Sequence, residues 1–274
     1  MTATAVPAAG VGLPPVAHPS NCPGCGAALA PDDLPGDLYV CGCGHHLRMH
    51  ADAWIALLAD PGTWRERWAD LVPRDVLGWR GERPYEETLE RARRAGLGEA
   101  ARVGTADLAG RPVWLAVFDF RFLGGTLSVQ SGERLTRALE HAARSGTPYV
   151  QVSASGGARM QEGLLALMQL AKLNGAVAEL NARGVPFLSV LTDPTFGGTS
   201  ASLALLGDVN IAEPGAAIGF SGARVIRQAT FADLPPGFQS SDFQLEHGQV
   251  DMVVPRSELR ALLARLLDLY RYAR

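Results

Sequence analysis

The sequence predicts an α/β domain around a buried, largely parallel sheet, with a small cysteine-rich module in front of it. One observation is a repeated unit, an apolar strand followed by a Gly-Gly turn and a helix, which occurs at Gly156-Gly157 and again at Gly197-Gly198. Buried strands that alternate with helices are typical of parallel sheets covered on both faces. A second observation is that all four cysteines of the 274-residue chain lie between Cys22 and Cys43.

Composition and charge exclude several classes of protein. Hydrophobic residues make up 47% of the chain and charged residues 19%, so the chain can bury a full core. The net charge of -3 gives no overall basic field for nucleic acid. No run approaches the roughly 18 apolar residues of a membrane helix. Residues 1–20 are rich in Ala and Pro and free of Lys and Arg, so they are predicted as a disordered tail of a cytoplasmic protein.

The cysteine-rich module, predicted over residues 21–50, has the spacing of a zinc ribbon. Two pairs of cysteines, one C-x-x-C and one C-x-C, are separated by a stretch long enough for a hairpin. Four thiolates in this arrangement hold one tetrahedral Zn²⁺ in a structural site. Because the second pair is one residue short, His45 could replace a thiolate, and reduced thiols or a disulfide are further alternatives. The predicted ligands are Cys22, Cys25, Cys41 and Cys43.

Residues 51–97 are predicted as a helical connector between this module and the main domain. Trp54 and Leu58 have the spacing of one apolar helix face, and residues 86–95 form a charged, helix-prone stretch. The intervening residues 64–83 are interpreted as a loosely structured connection.

The main domain is predicted over residues 98–274. One helix is expected to begin at Ser131 or Gly132 and to end at Gly146. The helix over residues 160–173 is apolar on nearly every side and is expected to be buried, whereas the last helix could pack on this domain or on a partner. The expected strands are 101–108, 112–120, 149–152, 187–191 and 209–212, and the other expected helices are 200–206 and 257–270.

The Gly-Gly turns are the candidate site. Glycine at a strand-to-helix turn permits close approach of a ligand, and the amides at the helix N-terminus point at whatever binds there. Two such amides can hold a carbonyl oxygen as it becomes an oxyanion. A tight turn without a ligand is the alternative. The sequence lacks the lysine of a P-loop, a GxGxxG motif and a nucleophile elbow, which argues against phosphate, dinucleotide and acyl-enzyme chemistry.

Three long blocks carry a resemblance: SASGGARMQEGLLALMQLAK, LTDPTFGGTSASLALLGDVNIAEPGAAIGFSGARVI and LPPGFQSSDFQLEHGQVDMVV. They closely resemble the beta subunits of bacterial acetyl-CoA carboxylase carboxyltransferases, and the match extends from about Cys22 to Pro255, including HHLRM after the ribbon. The resemblance implies a crotonase-like (ClpP/crotonase) fold, a spiral of ββα units, over the main domain.

The resemblance also implies an activity and partners. Such an enzyme moves the carboxyl group from carboxybiotin, supplied by a carrier protein, to acetyl-CoA and forms malonyl-CoA for fatty acid synthesis. It pairs with a carboxyltransferase alpha subunit, as alpha₂beta₂, and works with biotin carboxyl carrier protein and biotin carboxylase. The active site lies between the beta and alpha chains, so this chain would be active only with its partner.

Roles for individual residues follow from the same resemblance. The amides of Gly156 and Gly157 are expected to polarise the thioester carbonyl and so to be catalytic. Arg159 is expected to meet CoA phosphate, with an ion pair to a buried acid as the alternative. Close backbone packing is the alternative for the second Gly-Gly pair. The expected substrate-binding residues are Gly124, Gly125, Arg159, Lys172, Gly197, Gly198 and Arg224.

Several positions depart from the family pattern and leave a second hypothesis open. Residues 128–131 replace a stretch that is usually small and apolar, Leu173 and Asn174 replace a small pair, and Arg227 stands where an acid is common. These departures allow, as the alternative, a specialised acyl-CoA or acyl-carrier carboxylase or decarboxylase of a secondary pathway. Binding of nucleic acid by the ribbon is a third hypothesis, which the net negative charge disfavours.

Overall fold

The computed structural model describes residues 19–30, 34, 36–231 and 233–272. The predicted N-terminal tail therefore lies outside the described residues, except for its last two positions. Within the described residues, the chain forms a seven-stranded sheet whose strands lie side by side in the order in which they occur along the chain. The strands are β1 (Arg65–Glu66), β2 (Ala101–Leu108), β3 (Arg111–Phe118), β4 (Tyr149–Ser155), β5 (Phe187–Thr195), β6 (Val209–Ala212) and β7 (Met252–Val253).

The sheet is antiparallel at its start and parallel from β3 onward. β1, β2 and β3 pair antiparallel, and β3 to β7 pair parallel in sequence. The mixed sheet confirms the α/β prediction, and β2 and β6 have the predicted bounds. The predicted loose connection over residues 64–83 contains β1, which adds a strand to the edge of the sheet. The parallel strands all end at one edge, which is where the Gly-Gly turns lie.

Helices cover both faces of the sheet. They are α1 (Ala51–Leu58), α2 (Tyr85–Arg94), α3 (Val129–Ser145), α4 (Gly163–Ala182), α5 (Gly197–Thr199), α6 (Ala223–Thr230), α7 (Ser241–Glu246) and α8 (Arg256–Tyr272). A π-helical turn, Ser200–Ala204, continues α5. One core cluster joins α1 and α8 to the sheet, and another joins α3 and α4 to its opposite face. The last helix therefore packs on this domain, and α1 of the predicted connector shares its core. The domain boundaries themselves stay predictions.

Helix α3 begins earlier than expected because two serines close its first turn. Ser128 is the N-cap, its side chain accepts from the Ser131 amide, and the Ser131 side chain accepts from the Ser128 amide. This reciprocal cap satisfies two amides that have no partner in the helix. The prediction of a start at Ser131 or Gly132 was therefore wrong, whereas the predicted end at Gly146 is confirmed by its left-handed φ of 67°.

Helix α4 overturns the expectation of an apolar helix buried all round. It is also longer than predicted, since a 3₁₀ turn at Met160–Glu162 leads into a helix that continues to Ala182. Its inner face packs against α3, but Met160, Leu164 and Met168 are 78%, 69% and 57% exposed. The apolar residues on the outer face are therefore uncovered in this single chain.

Candidate functional site

The two Gly-Gly turns meet at the carboxyl ends of neighbouring parallel strands. β4 and β5 pair up to Ser155 and Thr195, and each strand runs directly into its glycines. Gly157 and Gly197 have φ angles of 111° and 65°. A Cβ on Gly197 would lie 2.9 Å from the Gly157 Cα, so a side chain there would push the turns apart. Close backbone packing, the alternative interpretation of the second pair, is thus what Gly197 provides.

A third glycine pair, Gly124-Gly125, joins this arrangement from the end of β3. A Cβ on Gly125 would overlap the carbonyl oxygen of Ala154, so the loop lies directly on β4. We call residues 124–127 the β3 loop and residues 156–159 the β4 loop. Backbone hydrogen bonds of 2.8 Å join the two loops, from Gly156 N to Gly124 O, from Leu127 N to Gly157 O and from Arg159 N to Leu127 O.

These contacts occupy the two amides that the sequence assigned to an oxyanion. The Gly156 amide donates to Gly124 O, and the Gly157 amide donates to Ser155 Oγ at 3.1 Å. Among the described residues, the Ala158 and Gly198 amides have no hydrogen-bond acceptor. A Cβ on Gly198 would lie 3.7 Å from the Ala158 Cβ, so these two residues are neighbours across the turns. The sequence thus predicted the turns but not which of their amides are free, because hydrogen bonding within a turn has no sequence signature. The catalytic role of Gly156 and Gly157 stays a prediction.

The side chain of Arg159 extends beneath the β4 loop and does not lie in an open cleft. Its side chain is fully buried, and its Nη2 lies 2.6 Å from Glu99 Oε1 and 2.6 Å from the Thr126 carbonyl oxygen. Burial acts to lower the Arg159 pKa, but the Glu99 carboxylate and the Tyr85 hydroxyl raise it above its usual value. The structure thus has the ion pair that was the alternative to phosphate binding, and no face of the guanidinium is left for a soluble anion.

Two further side chains complete this buried network. The Tyr85 hydroxyl donates to Glu162 Oε1 at 2.8 Å, and the Val129 amide in the first turn of α3 donates to Glu162 Oε2 at 2.7 Å. Burial raises the pKa of Glu162, although these hydrogen bonds and Arg159 act against the shift. The network includes Tyr85 from α2, so the connector contributes a side chain directly beneath the site.

The remaining predicted substrate residues have different surroundings. Lys172, on α4, pairs with Glu133 of α3 and lies 3.4 Å from Gln169 Oε1. Arg224, in the first turn of α6, is exposed. Gly124 lies beside the Phe120 ring, and a Cβ on it would be 3.9 Å from that ring. The substrate-binding roles of these residues stay predictions.

The four cysteines lie together and could hold a metal ion, as the sequence predicts. All four Sγ atoms lie within 4.8 Å of one another, with Cys22 and Cys43 3.7 Å apart and Cys25 and Cys41 3.8 Å apart. A tetrahedron with Zn–S bonds of about 2.3 Å has sulfur–sulfur edges of about 3.8 Å, so the four thiols fit this ion. The short C-x-C pair is therefore placed to supply two ligands, and His45 instead packs its ring beside Gly24.

A second buried arginine attaches the ribbon to the sheet. Arg256, at the start of α8, pairs through Nε and Nη2 with both carboxylate oxygens of Glu213 at 2.6 and 2.7 Å. The same guanidinium donates to the ribbon carbonyls of Leu38 at 2.6 Å and Leu47 at 3.0 Å. No local pattern in the sequence predicts this anchor, because Arg256 is more than 200 positions from the ribbon carbonyls that it binds.

A cavity of about 490 Å³ separates the ribbon from the sheet. Residues 45–50 of the ribbon line one wall, and residues 119–121 after β3 together with Asp193 of β5 line the other. Arg48 spans it, with its guanidinium 4.4 Å from the Phe120 ring centre and 3.3 Å from Asp193. The ribbon thus lies over the same sheet edge as the Gly-Gly turns.

In the described part of the chain, no helix is both long enough and apolar enough to cross a bilayer.

Comparisons with known proteins agree with this geometry. Residues 63–236 match the family described as carboxyl transferase domain. An acetyl-coenzyme A carboxylase carboxyl transferase subunit beta of Pelobacter propionicus is 47% identical over 256 residues, covering 92% of this chain and 90% of the relative. A beta/alpha protein of Salinispora tropica is 52% identical over 90% of this chain, which spans 44% of that relative.

A solved structure supports the fold. Transcarboxylase 12S with methylmalonyl-coenzyme A and methylmalonic acid bound superposes with a TM-score of 0.68 at 26% identity, covering 80% of this chain and 40% of that chain. Since the strands, the turns and this likeness agree, the prediction of a crotonase-like fold is confirmed.

Proposed function

The chain belongs to the family of acetyl-coenzyme A carboxylase carboxyl transferase beta subunits, and from this premise we propose its reaction. It transfers the carboxyl group of carboxybiotin, held on a carrier protein, to acetyl-CoA and gives malonyl-CoA. The observation that carries the proposal is the packed pair of Gly-Gly turns, which leaves two neighbouring amides free at the carboxyl edge of the sheet.

The chain's own residues would act on the thioester. The methyl group of acetyl-CoA is a weak acid, and hydrogen bonds to the thioester oxygen stabilise the enolate that forms when the methyl proton leaves. We assign these hydrogen bonds to the Ala158 and Gly198 amides, while Gly156 and Gly157 shape the turn. Loss of one such donor typically costs about 3–4 kcal/mol of barrier. Carboxybiotin supplies the CO₂ that the enolate attacks, and the biotin left behind accepts the methyl proton.

The outer face of α4 supports an alpha subunit as the partner that completes the site. Leu164 and Leu167 are 69% and 50% exposed, and Leu77 packs beside Gly163 to extend the surface into the connector. Such a contiguous apolar surface is typical of an interface. The relative with beta and alpha sequences in one chain supports the same pairing, and we propose an alpha₂beta₂ assembly that works with biotin carboxyl carrier protein and biotin carboxylase in the cytoplasm.

The docking proposal has a direct test. Leu164→Glu in the full chain should weaken association with the alpha subunit at least tenfold, because the charge would be buried in an apolar contact. Leu269→Glu is the matched control, since Leu269 is 65% exposed but lies on α8. Equal association of both variants, measured by native mass spectrometry across a dilution series, would contradict this placement.

We propose that the four cysteines hold a structural Zn²⁺. All four ligands come from the chain, so the ion would have no open position and would take no part in the chemistry. One zinc per chain, measured in the purified complex, is the expected result. A metal-free chain that is fully active would rule it out.

The reaction is tested by running it in reverse. The chain mixed with its alpha subunit should convert malonyl-CoA and free biotin to acetyl-CoA and carboxybiotin, and either chain alone should not. A stable complex that produces no acetyl-CoA would refute the proposed function. A panel of acyl-CoA substrates then tests the specialised-paralogue hypothesis, which requires better turnover of a longer or carboxylated substrate.

The structure weakens two arguments for the alternatives. Ser128 and Ser131, which depart from the family pattern, serve as the cap of α3, so their identity follows from helix geometry. Arg48 of the ribbon pairs with Asp193 and covers Phe120, which removes one of the cations that nucleic acid would need.

A further inference from the structure

We infer that Arg159 is a positioning residue for the reaction. Its guanidinium, held by Glu99, fixes the spacing between the β3 loop and the β4 loop, and so fixes the place where the thioester carbonyl docks. The inference rests on the proposed function and adds a residue to it.

The guanidinium of Arg159 joins the two loops directly. Arg159 ends the β4 loop, and its Nε donates to Thr126 Oγ1 at 3.1 Å while its Nη2 donates to the Thr126 carbonyl at 2.6 Å. Thr126 lies in the β3 loop, two residues beyond the Gly124 carbonyl that accepts the Gly156 amide. The side chain therefore adds two hydrogen bonds to the backbone contacts between the loops, and these bonds are charge-assisted.

Glu99 holds the guanidinium from the opposite side. Its two carboxylate oxygens lie 2.6 Å from Nη2 and 3.2 Å from Nη1 of Arg159. The carboxylate is itself fixed by the Ala100 amide and the Ser128 hydroxyl, both at 2.6 Å. A planar guanidinium between two fixed acceptors defines direction as well as distance, whereas a lysine ammonium on a flexible stem does not.

Stability alone gives no reason for this buried pair. The desolvation of two buried charges offsets most of their attraction, and apolar side chains of similar volume often serve as well. Arg134 provides the comparison: it is 2% exposed and donates to the carbonyls of Ala69, Leu71 and Ala101. Arg134 secures the chain beside β2, whereas Arg159 secures the two loops that border the site.

The test compares Arg159→Lys with Arg134→Lys in the full chain, each assembled with the alpha subunit. Both variants lose a buried guanidinium, so both are expected to lower the midpoint of thermal unfolding. Arg159→Lys should lower kcat for carboxyl transfer from malonyl-CoA to biotin roughly 10- to 100-fold, because small misplacements of reacting groups have effects of this size. Its KM should stay within about threefold, because the displaced amides act mainly in the transition state.

Arg134→Lys should keep kcat within about threefold of the unmodified enzyme. A kcat for Arg159→Lys equal to that of Arg134→Lys would overturn the inference and leave Arg159 a structural residue. If Arg159→Lys does not assemble with the alpha subunit, Thr126→Val provides the test. This change removes one hydrogen-bond acceptor of the Arg159 guanidinium at a half-buried position. A roughly three- to tenfold lower kcat supports the inference, and an unchanged kcat overturns it. An unmodified complex without activity would instead refute the proposed function.

Discussion

Two buried arginines stabilise two different regions of this molecule, the loops beside the Gly-Gly turns and the contact between the ribbon and the sheet. Arg159 and Arg256 are 0% and 1% exposed, and each pairs with a buried glutamate and with backbone carbonyls. Arg159 connects two loops of the same sheet edge. Arg256 connects that edge to a separate module, since its carbonyl acceptors Leu38 and Leu47 belong to the ribbon. The same type of side chain therefore positions the loops of the site in one region and attaches the ribbon in the other.

The difference lies in what else supports each region. The loops around Arg159 also have backbone hydrogen bonds and packed glycines, so Arg159 refines an arrangement that has other supports. The described residues of the ribbon form turns and two isolated bridges but no helix or strand of their own, so we expect their order to depend on the proposed metal and on Arg256. Changes at the ribbon should therefore mainly affect stability, whereas changes at the site should mainly affect catalysis.

Removal of the metal should have the largest effect and should be confined to the ribbon. Structural zinc contributes roughly 10 kcal/mol or more to small metal-dependent folds, so chelation should unfold residues 21–50. Limited proteolysis should then cut within the ribbon, while fragments that contain β2 to β6 persist. Simultaneous loss of both regions would show that the ribbon and the sheet form one cooperative unit.

Removal of the Arg256 anchor should have the next largest effect on stability. Arg256→Met leaves the Glu213 carboxylate buried without its partner, which typically costs about 3–5 kcal/mol. Urea unfolding of the full chain measures this change. Arg265→Met is the control, because Arg265 is exposed on the same helix and should change the unfolding free energy by less than about 0.5 kcal/mol. A similar change in unfolding free energy for both variants would contradict the assignment of Arg256 as the anchor of the ribbon.

Gly197→Ala should lower both the stability and the activity of the site. The positive φ and the 2.9 Å approach to Gly157 make this change costly by about 1–3 kcal/mol, and the displaced turn should lose most carboxyl transfer. Gly156→Ala is the matched control, since its Cβ would come no closer than 3.5 Å to a neighbouring atom. Equal activity of the two variants would contradict the assigned packing of the turns.

The smallest expected effect is on pH dependence, which has opposite signs in the two regions. At the anchor, burial raises the Glu213 pKa, but Arg256 outweighs it and holds that pKa below its ordinary range. The stability from Glu213 is therefore present above its unfolded pKa of about 4.3 and is lost as the pH falls through its folded pKa. At the site, burial raises the Glu162 pKa, so its contribution is present below about 4.3 and is lost as the pH rises through the folded pKa.

Urea unfolding between about pH 3 and 7 separates the two carboxyls. Glu213→Gln should flatten the acid limb of the stability curve, and Glu162→Gln should flatten the opposite limb. Identical curves for both variants would mean that the two carboxyls titrate alike.

Local sequence signals predicted most of the fold. β2 and β6 have their predicted bounds because alternating or continuous apolar runs between turn residues specify strands locally. The Gly-Gly turns and the cysteine spacing likewise indicated the site and the ribbon. The prediction that α4 is buried on every side was wrong. Apolar residues on a helix face indicate that the face favours burial, but they do not indicate whether this chain or another covers it. The networks of Arg159 and Arg256 could not be predicted, since they depend on contacts between residues far apart in the sequence.

The uncovered face of α4 has a consequence for how a cell must make this protein. A chain released from the ribosome without its counterpart would offer leucine and methionine side chains to any other orphan copy and to chaperones. Production of the two subunits in equal numbers would then be as important to the enzyme as any residue at the turns. A single reading frame that encodes both, as in the Salinispora relative, fixes that ratio at one to one.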